Sequence, residues 1–121
     1  LKSVDVIYST DRAFAAKTKD GTVVSWGSSH YGADQGDVQS RLISVIIIAS
    51  TECAFAAKTG DGTVVTWGCN DHPYSSAMQS HLTSVDAIYS SERAFAAKKE
   101  DGTVVTWGFD ENYEDISGVL S

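Results

Sequence analysis

The sequence contains 121 residues, of which 42% are hydrophobic and 21% charged, a composition typical of a folded domain and not of a disordered chain. Nine basic residues against sixteen acidic ones give a net charge of −7, which argues against nucleic acid as a partner because phosphate recognition needs a basic surface. No apolar run approaches the length of a membrane span, so membrane insertion is not expected.

The first part of the chain predicts three short β-strands. Residues 3–9 (SVDVIYS) are rich in valine and isoleucine, lack glycine and proline, and partly alternate apolar with polar side chains. Residues 12–18 (RAFAAKT) and 22–27 (TVVSWG) also have strand character, and the Lys-Asp-Gly between them indicates a hairpin turn. We expect residues 28–42 to form a polar loop with a short strand near Val38.

The hairpin register follows from the length of its turn. A three-residue turn places Gly21 in the left-handed conformation, where a Cβ atom would carry a steric penalty. With this turn, Phe14 lies opposite Trp26 and Ala16 lies opposite Val24, which gives one apolar face. A two-residue turn would place the phenylalanine opposite a glycine, which packs less well, so we predict the three-residue turn.

The same pattern occurs three times. The segment DGTVVSWG at residue 20 returns as DGTVVTWG at residues 61 and 101. We therefore divide the single repeat domain, 1–121, into unit one (1–41), unit two (42–81) and unit three (82–121). A period of this length is typical of solenoids, propellers and arrays. The turn glycines expected in the three units are Gly21, Gly62 and Gly102.

Three or four short antiparallel strands per unit predict an all-β fold of three propeller-type blades, a partial β-propeller. Small alanine side chains would let neighbouring blades approach closely around the propeller axis, and the aromatic residues would fill the wider space further out. An open β-repeat array is the alternative architecture. The expected structural core consists of Phe14, Trp26, Phe55, Trp67, Phe95 and Trp107.

The unit resembles the repeat of the regulator of chromosome condensation (RCC1-like) family. Residues 4–27, VDVIYSTDRAFAAKTKDGTVVSWG, follow that repeat's order of valine-rich strand, alanine-bearing strand, Asp-Gly, aliphatic pair and Trp-Gly, and the match recurs in every unit. The family's Gly and His between the first two strands are absent, and Ser9 and Ala13 stand near their places. The resemblance implies propeller blades and a protein-interaction role, but not nucleotide exchange, because no inserted wedge is present.

Three blades are fewer than the four to eight of a usual propeller, so two blade faces need cover. The repeat begins and ends in phase, which makes unit three of one chain complementary to unit one of another. Head-to-tail association of identical chains would close a ring or extend a filament. The other expectation is that the chain, which begins with Leu and not with Met, is a piece of a larger propeller.

Two residue-level expectations follow from this arrangement. Ile46 should be covered, because a central unit has neighbours on both sides, whereas the outer units carry Asp5 and Asp86 at that position and guard exposed strands. Negative charges placed at Ala15 and Ala96 should enter the contact between chains and break the assembly.

Groups that could support chemistry are few. The histidines His30, His72 and His81 match no zinc spacing, and Asp34 and Asp37 lack the pattern of a calcium loop, so solvated loop roles are favoured. No nucleophile and base can be paired from the sequence. We predict no metal site, no cofactor and no enzymatic activity.

The two cysteines, Cys53 and Cys69, both fall in unit two, where the preferred register makes them cross-strand partners. A disulfide bond and two free buried thiols are the alternatives. A framework of several disulfides is excluded by the cysteine count.

The sequence thus predicts a structural, protein-interaction module that associates with identical chains or with a protein partner. A carbohydrate-binding propeller, with sugars stacked on the tryptophans, is the alternative. Partner contacts are expected where the three units differ most, in the loops after each Trp-Gly. These candidate contact residues are His30, Tyr31, Asp34, Asn70, His72, Tyr74, Asp110, Asn112 and Tyr113.

Overall fold

The computed structural model describes residues 3–28, 42–68, 81–108 and 118–120. Regular structure within these residues is entirely β, as the sequence predicts. The strands are β1 Val4–Ser9, β2 Ala13–Thr18, β3 Val23–Gly27, β4 Val45–Ser50, β5 Ala54–Thr59, β6 Val64–Gly68, β7 Val85–Ser90, β8 Ala94–Lys99, β9 Val104–Gly108 and β10 Gly118–Leu120.

The strands form one antiparallel sheet per unit. Strand orders are β1-β2-β3 in unit one, β4-β5-β6 in unit two and β10-β9-β8-β7 in unit three. Unit three has a fourth strand, β10, which contains Val119, the repeat equivalent of Val38. Val38 itself lies outside the described residues, so the short strand predicted near it stays a prediction. Three stacked sheets of this kind are propeller blades, and they do not close into a ring.

The hairpin between the second and third strands has the predicted register. Phe14 pairs with Trp26 and Ala16 with Val24, and equivalent pairs recur in units two and three. The amide of Gly21 donates to the carbonyl of Thr18 over 3.0 Å, and its φ is 86°. This is the three-residue turn with a left-handed glycine, and a Cβ there would also stand 2.9 Å from the Cα of Ser44.

Candidate functional site

Each sheet has two chemically different faces, because side chains alternate along a strand. We call one the aromatic face; in unit one it carries Ile7, Phe14, Ala16, Val24 and Trp26. We call the other the alanine face; in unit one it carries Tyr8, Ala13, Ala15, Val23 and Ser25. Phenylalanine and tryptophan stack on the aromatic face of each unit, with ring centroids 5.6, 5.3 and 5.3 Å apart.

Inside the chain, the alanine face of one unit packs on the aromatic face of the next. One buried cluster joins Ala13, Ala15 and Val23 of unit one to Phe55 and Trp67 of unit two. The second cluster repeats this contact between units two and three. Small side chains on one face leave room for the aromatic pair on the other, so both junctions are closely packed.

At the first end of the stack, the aromatic face of unit one is open. Phe14 is 45% exposed and Trp26 40%, whereas Phe55 is fully buried and Trp67 is 7% exposed. The expectation that Phe14 and Trp26 belong to a buried core is therefore wrong within this chain, because no alanine face covers them. The other expected core residues, Phe95 and Trp107, are buried.

At the other end, the alanine face of unit three is open. Ala96 is only half-buried, whereas its equivalents Ala15 and Ala56 are completely buried. Tyr89, on the same face, is 60% exposed. The two ends of the stack therefore present the two halves of the contact that the chain makes twice internally.

Main-chain hydrogen bonds cross both internal junctions at equivalent places. The amide of Asp11 donates to the carbonyl of Glu52 over 2.9 Å, and the amide of Glu52 donates to the carbonyl of Glu92 over 2.7 Å. Near the opposite end of the strands, the amide of Val45 donates to Gly21, an interaction repeated one unit later between the equivalent residues. Each unit thus offers the next a fixed pair of main-chain groups, one donor and one acceptor.

Among the described residues, a side-chain ion pair also crosses the junction between units two and three. Arg93 Nε of unit three lies 3.3 Å from Glu52 Oε1 of unit two, and both side chains are about three-quarters buried, with exposures of 23% and 25%. The sequence reasoning missed this pair. The signal was available, since an acid occupies the same place of every unit, in TDR, TEC and SER.

Two further ion pairs join the first and second strands within a unit. Lys17 Nζ and Asp5 Oδ2 are 2.7 Å apart, as are Lys98 and Asp86. Hydrogen bonding to Lys98, with its charge, lowers the pKa of Asp86, and the same bond raises the pKa of Lys98. Ile46 replaces the acid in unit two and is 50% exposed, so the expectation that it is covered is wrong; its position in a bulge of β4 keeps it out of both buried clusters.

The Asp-Gly turns carry a carboxylate that accepts several hydrogen bonds. Asp61 accepts from Thr59, from the Thr63 hydroxyl over 2.8 Å and from the Thr63 amide over 3.2 Å. These bonds, the Thr59 hydroxyl first, lower the pKa of Asp61. Asp20 has the same arrangement with Thr18 and Thr22, and its pKa is lowered for the same reason.

We predict that acid destabilises the protein partly through these turns. A carboxyl whose pKa is lower in the folded state contributes stability above its unfolded pKa, and that contribution is lost as pH falls below about 4. The midpoint of thermal unfolding should therefore drop between pH 6 and pH 3 less steeply in an Asp20→Asn, Asp61→Asn double variant than in the wild type. Equal slopes for the two proteins would contradict this role.

Other predicted groups are placed as follows. Cys53 is disulfide-bonded, which overturns the free-thiol alternative for this residue. Cys69, His30 and His72 lie outside the described residues, whereas His81 is exposed. All the candidate contact loops, including Asp34 and Asp37, also lie outside them. Within the described parts of the chain, no three His, Cys, Asp or Glu residues form a metal-binding group, and no helix is long and apolar enough to cross a membrane.

Among proteins of known structure, the blades match RCC1-like β-propellers. Over its whole length the chain superposes on 39% of Prp20p from Saccharomyces cerevisiae, with a TM-score of 0.70 and 18% identity. Human WBSCR16 superposes with a TM-score of 0.69 and 18% identity, and 98% of this chain covers 39% of the WBSCR16 chain. A crystal structure of Kap60 bound to yeast RCC1 (Prp20) gives a TM-score of 0.67 and 18% identity, and 89% of this chain covers 30% of the matched chain.

The fold is therefore that of RCC1-like propeller blades, which confirms the resemblance seen in the sequence. The chain spans between 30% and 39% of the length of these three structures. No family model matches the sequence, and a search of curated proteins finds no match.

Proposed function

We propose that the protein is a non-enzymatic, structural interaction module whose blades associate head to tail with a second copy of the chain. The observation that carries the proposal is the exposed aromatic face of unit one. Its counterparts in units two and three are covered by an alanine face, and unit three presents an alanine face of the same kind. Neighbouring exposed apolar side chains of this kind often mark an interaction site.

Main-chain groups at the two ends support the same contact. The amide of Glu92 occupies the place from which Asp11 and Glu52 donate across the internal junctions. The carbonyl of Gly102 occupies the place at which Gly21 accepts from Val45. In a head-to-tail contact, Glu92 would donate to the carbonyl of Asp11 of the second copy, and Gly102 would accept from its Val4.

The turn glycine of unit three fits the same contact. A Cβ at Gly21 would meet the Ser44 main chain of the next unit at 2.9 Å, and one at Gly62 would meet Ser84 at 3.3 Å. A Cβ at Gly102 meets nothing within 4 Å. A second copy would bring its Ser3, the equivalent of Ser44 and Ser84, to this place.

The contact is heterologous, because two different surfaces meet. Two copies would give six blades, a number at which propellers close, and a rotation that does not close would give a filament. The solved structures that the chain resembles support protein partners in general. Prp20p binds Gsp1p and histones, and yeast RCC1 (Prp20) is bound to Kap60 in its crystal structure. We also propose that the loops after each Trp-Gly, where the units differ most, contact such partners.

The stacked pair of Phe14 and Trp26 favours a second candidate function, carbohydrate binding. Their rings are 5.6 Å apart, inclined by 22° and partly exposed, so a sugar could stack on them. This would be one site, not the three that a lectin propeller would carry, because the equivalent rings are buried. Binding on a glycan array that is lost on Trp26→Ala, from a protein that stays a single chain, would favour this function over self-association.

The direct test is the mass in solution. Light scattering over a range from about 1 to 100 μM should give two chains for a closed ring, or a mass that grows with concentration for a filament. A mass of one chain throughout would contradict self-association and favour cover of the two faces by blades of a longer protein.

A further inference from the structure

In every unit, the turn between the first and second strands carries an acidic residue. The residue after the acid is not the same in all units. These dipeptides are Asp11-Arg12 in unit one, Glu52-Cys53 in unit two and Glu92-Arg93 in unit three. Main-chain hydrogen bonds hold the three turns against each other in order along the stack. The repeat therefore gives the acid of one unit and the residue after the acid of the next unit equivalent places at each junction.

The junction between units two and three shows what this placement does. The amide of Glu52 donates to the carbonyl of Glu92, and the adjacent Arg93 brings its Nε to 3.3 Å from Glu52 Oε1. The junction between units one and two has the same main-chain bond, from Asp11 to Glu52. There, however, the position of Arg93 is occupied by Cys53, which is disulfide-bonded and carries no charge.

We propose that Glu92 of one copy pairs with Arg12 of the next copy, and that this charge pair selects and orients the head-to-tail contact. The inference rests on the proposed self-association. Arg12 stands in unit one where Arg93 stands in unit three, and Glu92 stands where Glu52 stands. Arg12 and Glu92 are exposed within a single chain, and they lie at the two ends that would meet.

The charge pair adds direction to a contact that apolar burial alone would not orient. Hydrophobic attraction is non-directional, whereas like charges brought together at a partly buried site oppose a wrong pairing. Because the chain has a net charge of −7, copies repel each other at long range. A local opposite-charge pair at the junction offsets part of that repulsion where the two ends meet.

The test uses charge reversals, alone and mixed, with the dissociation constant measured by sedimentation. Arg12→Glu and Glu92→Arg should each weaken self-association about tenfold, because each places like charges at the junction. An equimolar mixture of the two variants should associate again, with a dissociation constant within about threefold of the wild type, since every junction between unlike copies has opposite charges.

Two control variants change the net charge by the same amount at exposed positions of the Asp-Gly turns, away from the turn between the first and second strands. Lys19→Glu matches Arg12→Glu, and Glu100→Arg matches Glu92→Arg. Lys19 and Glu100 correspond to Gly60 of unit two. A Cβ atom added at Gly60 would have only Ser44 and Ile46, both of unit two, as its nearest neighbours within 4 Å. Neither control should change the dissociation constant by more than about threefold.

The outcomes separate this inference from the proposed function. A wild type that stays a single chain overturns the self-association on which the inference rests. A wild type that associates, with reversals that behave like their controls, overturns the charge pair and leaves the apolar contact standing. If each single variant associates more weakly and their mixture does not recover the wild-type affinity, the charge pair is also overturned. Two residues in direct contact should recover their attraction when both charges are reversed.

Discussion

Replacing Trp67 by alanine is expected to lower the free energy of unfolding by about 3–5 kcal/mol, the usual result of deleting a large buried side chain. Trp67 is 7% exposed and stacks on Phe55 at 5.3 Å, under the alanine face of unit one. The same replacement at Trp26, which is 40% exposed, should cost about 1–2 kcal/mol in dilute solution, because roughly half of its apolar surface already meets water.

Chemical denaturation of the two variants measures this difference, and Trp107→Ala is the matched control. Trp107 is 3% exposed and should behave like Trp67. If copies associate, the deficit of Trp26→Ala should grow with protein concentration, because the wild type then buries Trp26 against a second copy. Equal losses at Trp26 and Trp67 in dilute solution would contradict the exposure of Trp26 in the single chain.

The hairpins could be predicted from the sequence because their determinants are local. Gly21 is required by a left-handed turn position, and that turn sets which residues pair, including Phe14 with Trp26. The propeller-blade architecture followed from repeating this hairpin with a strand before it. Both conclusions depend on residues within one unit, so a single sequence contains the information.

Which faces are covered could not be predicted from the sequence of one unit. Phe14 and Phe55 occupy the same position of the same motif, yet one is 45% exposed and the other fully buried. The difference arises from the neighbouring sheet and not from the residue. For the same reason, the expectation that both Ala15 and Ala96 lie at the contact between chains is only half right. Ala15 lies in the junction between units one and two, whereas Ala96 lies on the open face of unit three.

The candidate site was therefore only partly predictable. The sequence indicated that two blade faces would need cover, but it placed the phenylalanine and tryptophan of every unit in a buried core. It did not show that Glu52 and Arg93 meet across a junction, because their contact depends on how two turns stack. Once one such pair is known, the equivalent positions of Glu92 and Arg12 follow from the repeat.

A negative charge at Ala96 is expected to abolish self-association while leaving each chain folded. Ala96 lies on the open alanine face of unit three, where a glutamate side chain can reach water in a single chain. In the head-to-tail contact it would instead be pressed against Phe14 and Trp26 of the second copy. Burying an unpaired carboxylate against apolar surface is costly, so Ala96→Glu should weaken association by at least about 100-fold.

The equivalent alanines of the other units provide the matched control. Ala56 is completely buried against the aromatic face of unit three, and Ala15 is buried in the same way against unit two. Ala56→Glu and Ala15→Glu should therefore destabilise the chain itself, by at least about 3 kcal/mol, because overpacking and charge burial then occur inside the fold.

Circular dichroism with thermal unfolding separates these results from the loss of association measured by light scattering. Ala96→Glu should keep the wild-type β-sheet spectrum and the unfolding midpoint of the dilute protein while its mass falls to one chain. If Ala96→Glu unfolds the protein as Ala56→Glu does, the face is covered within the chain and cannot serve as the contact. If it folds and still associates like the wild type, a second copy does not bind there, because a buried glutamate at that position could not be accommodated beside the stacked rings of the aromatic face.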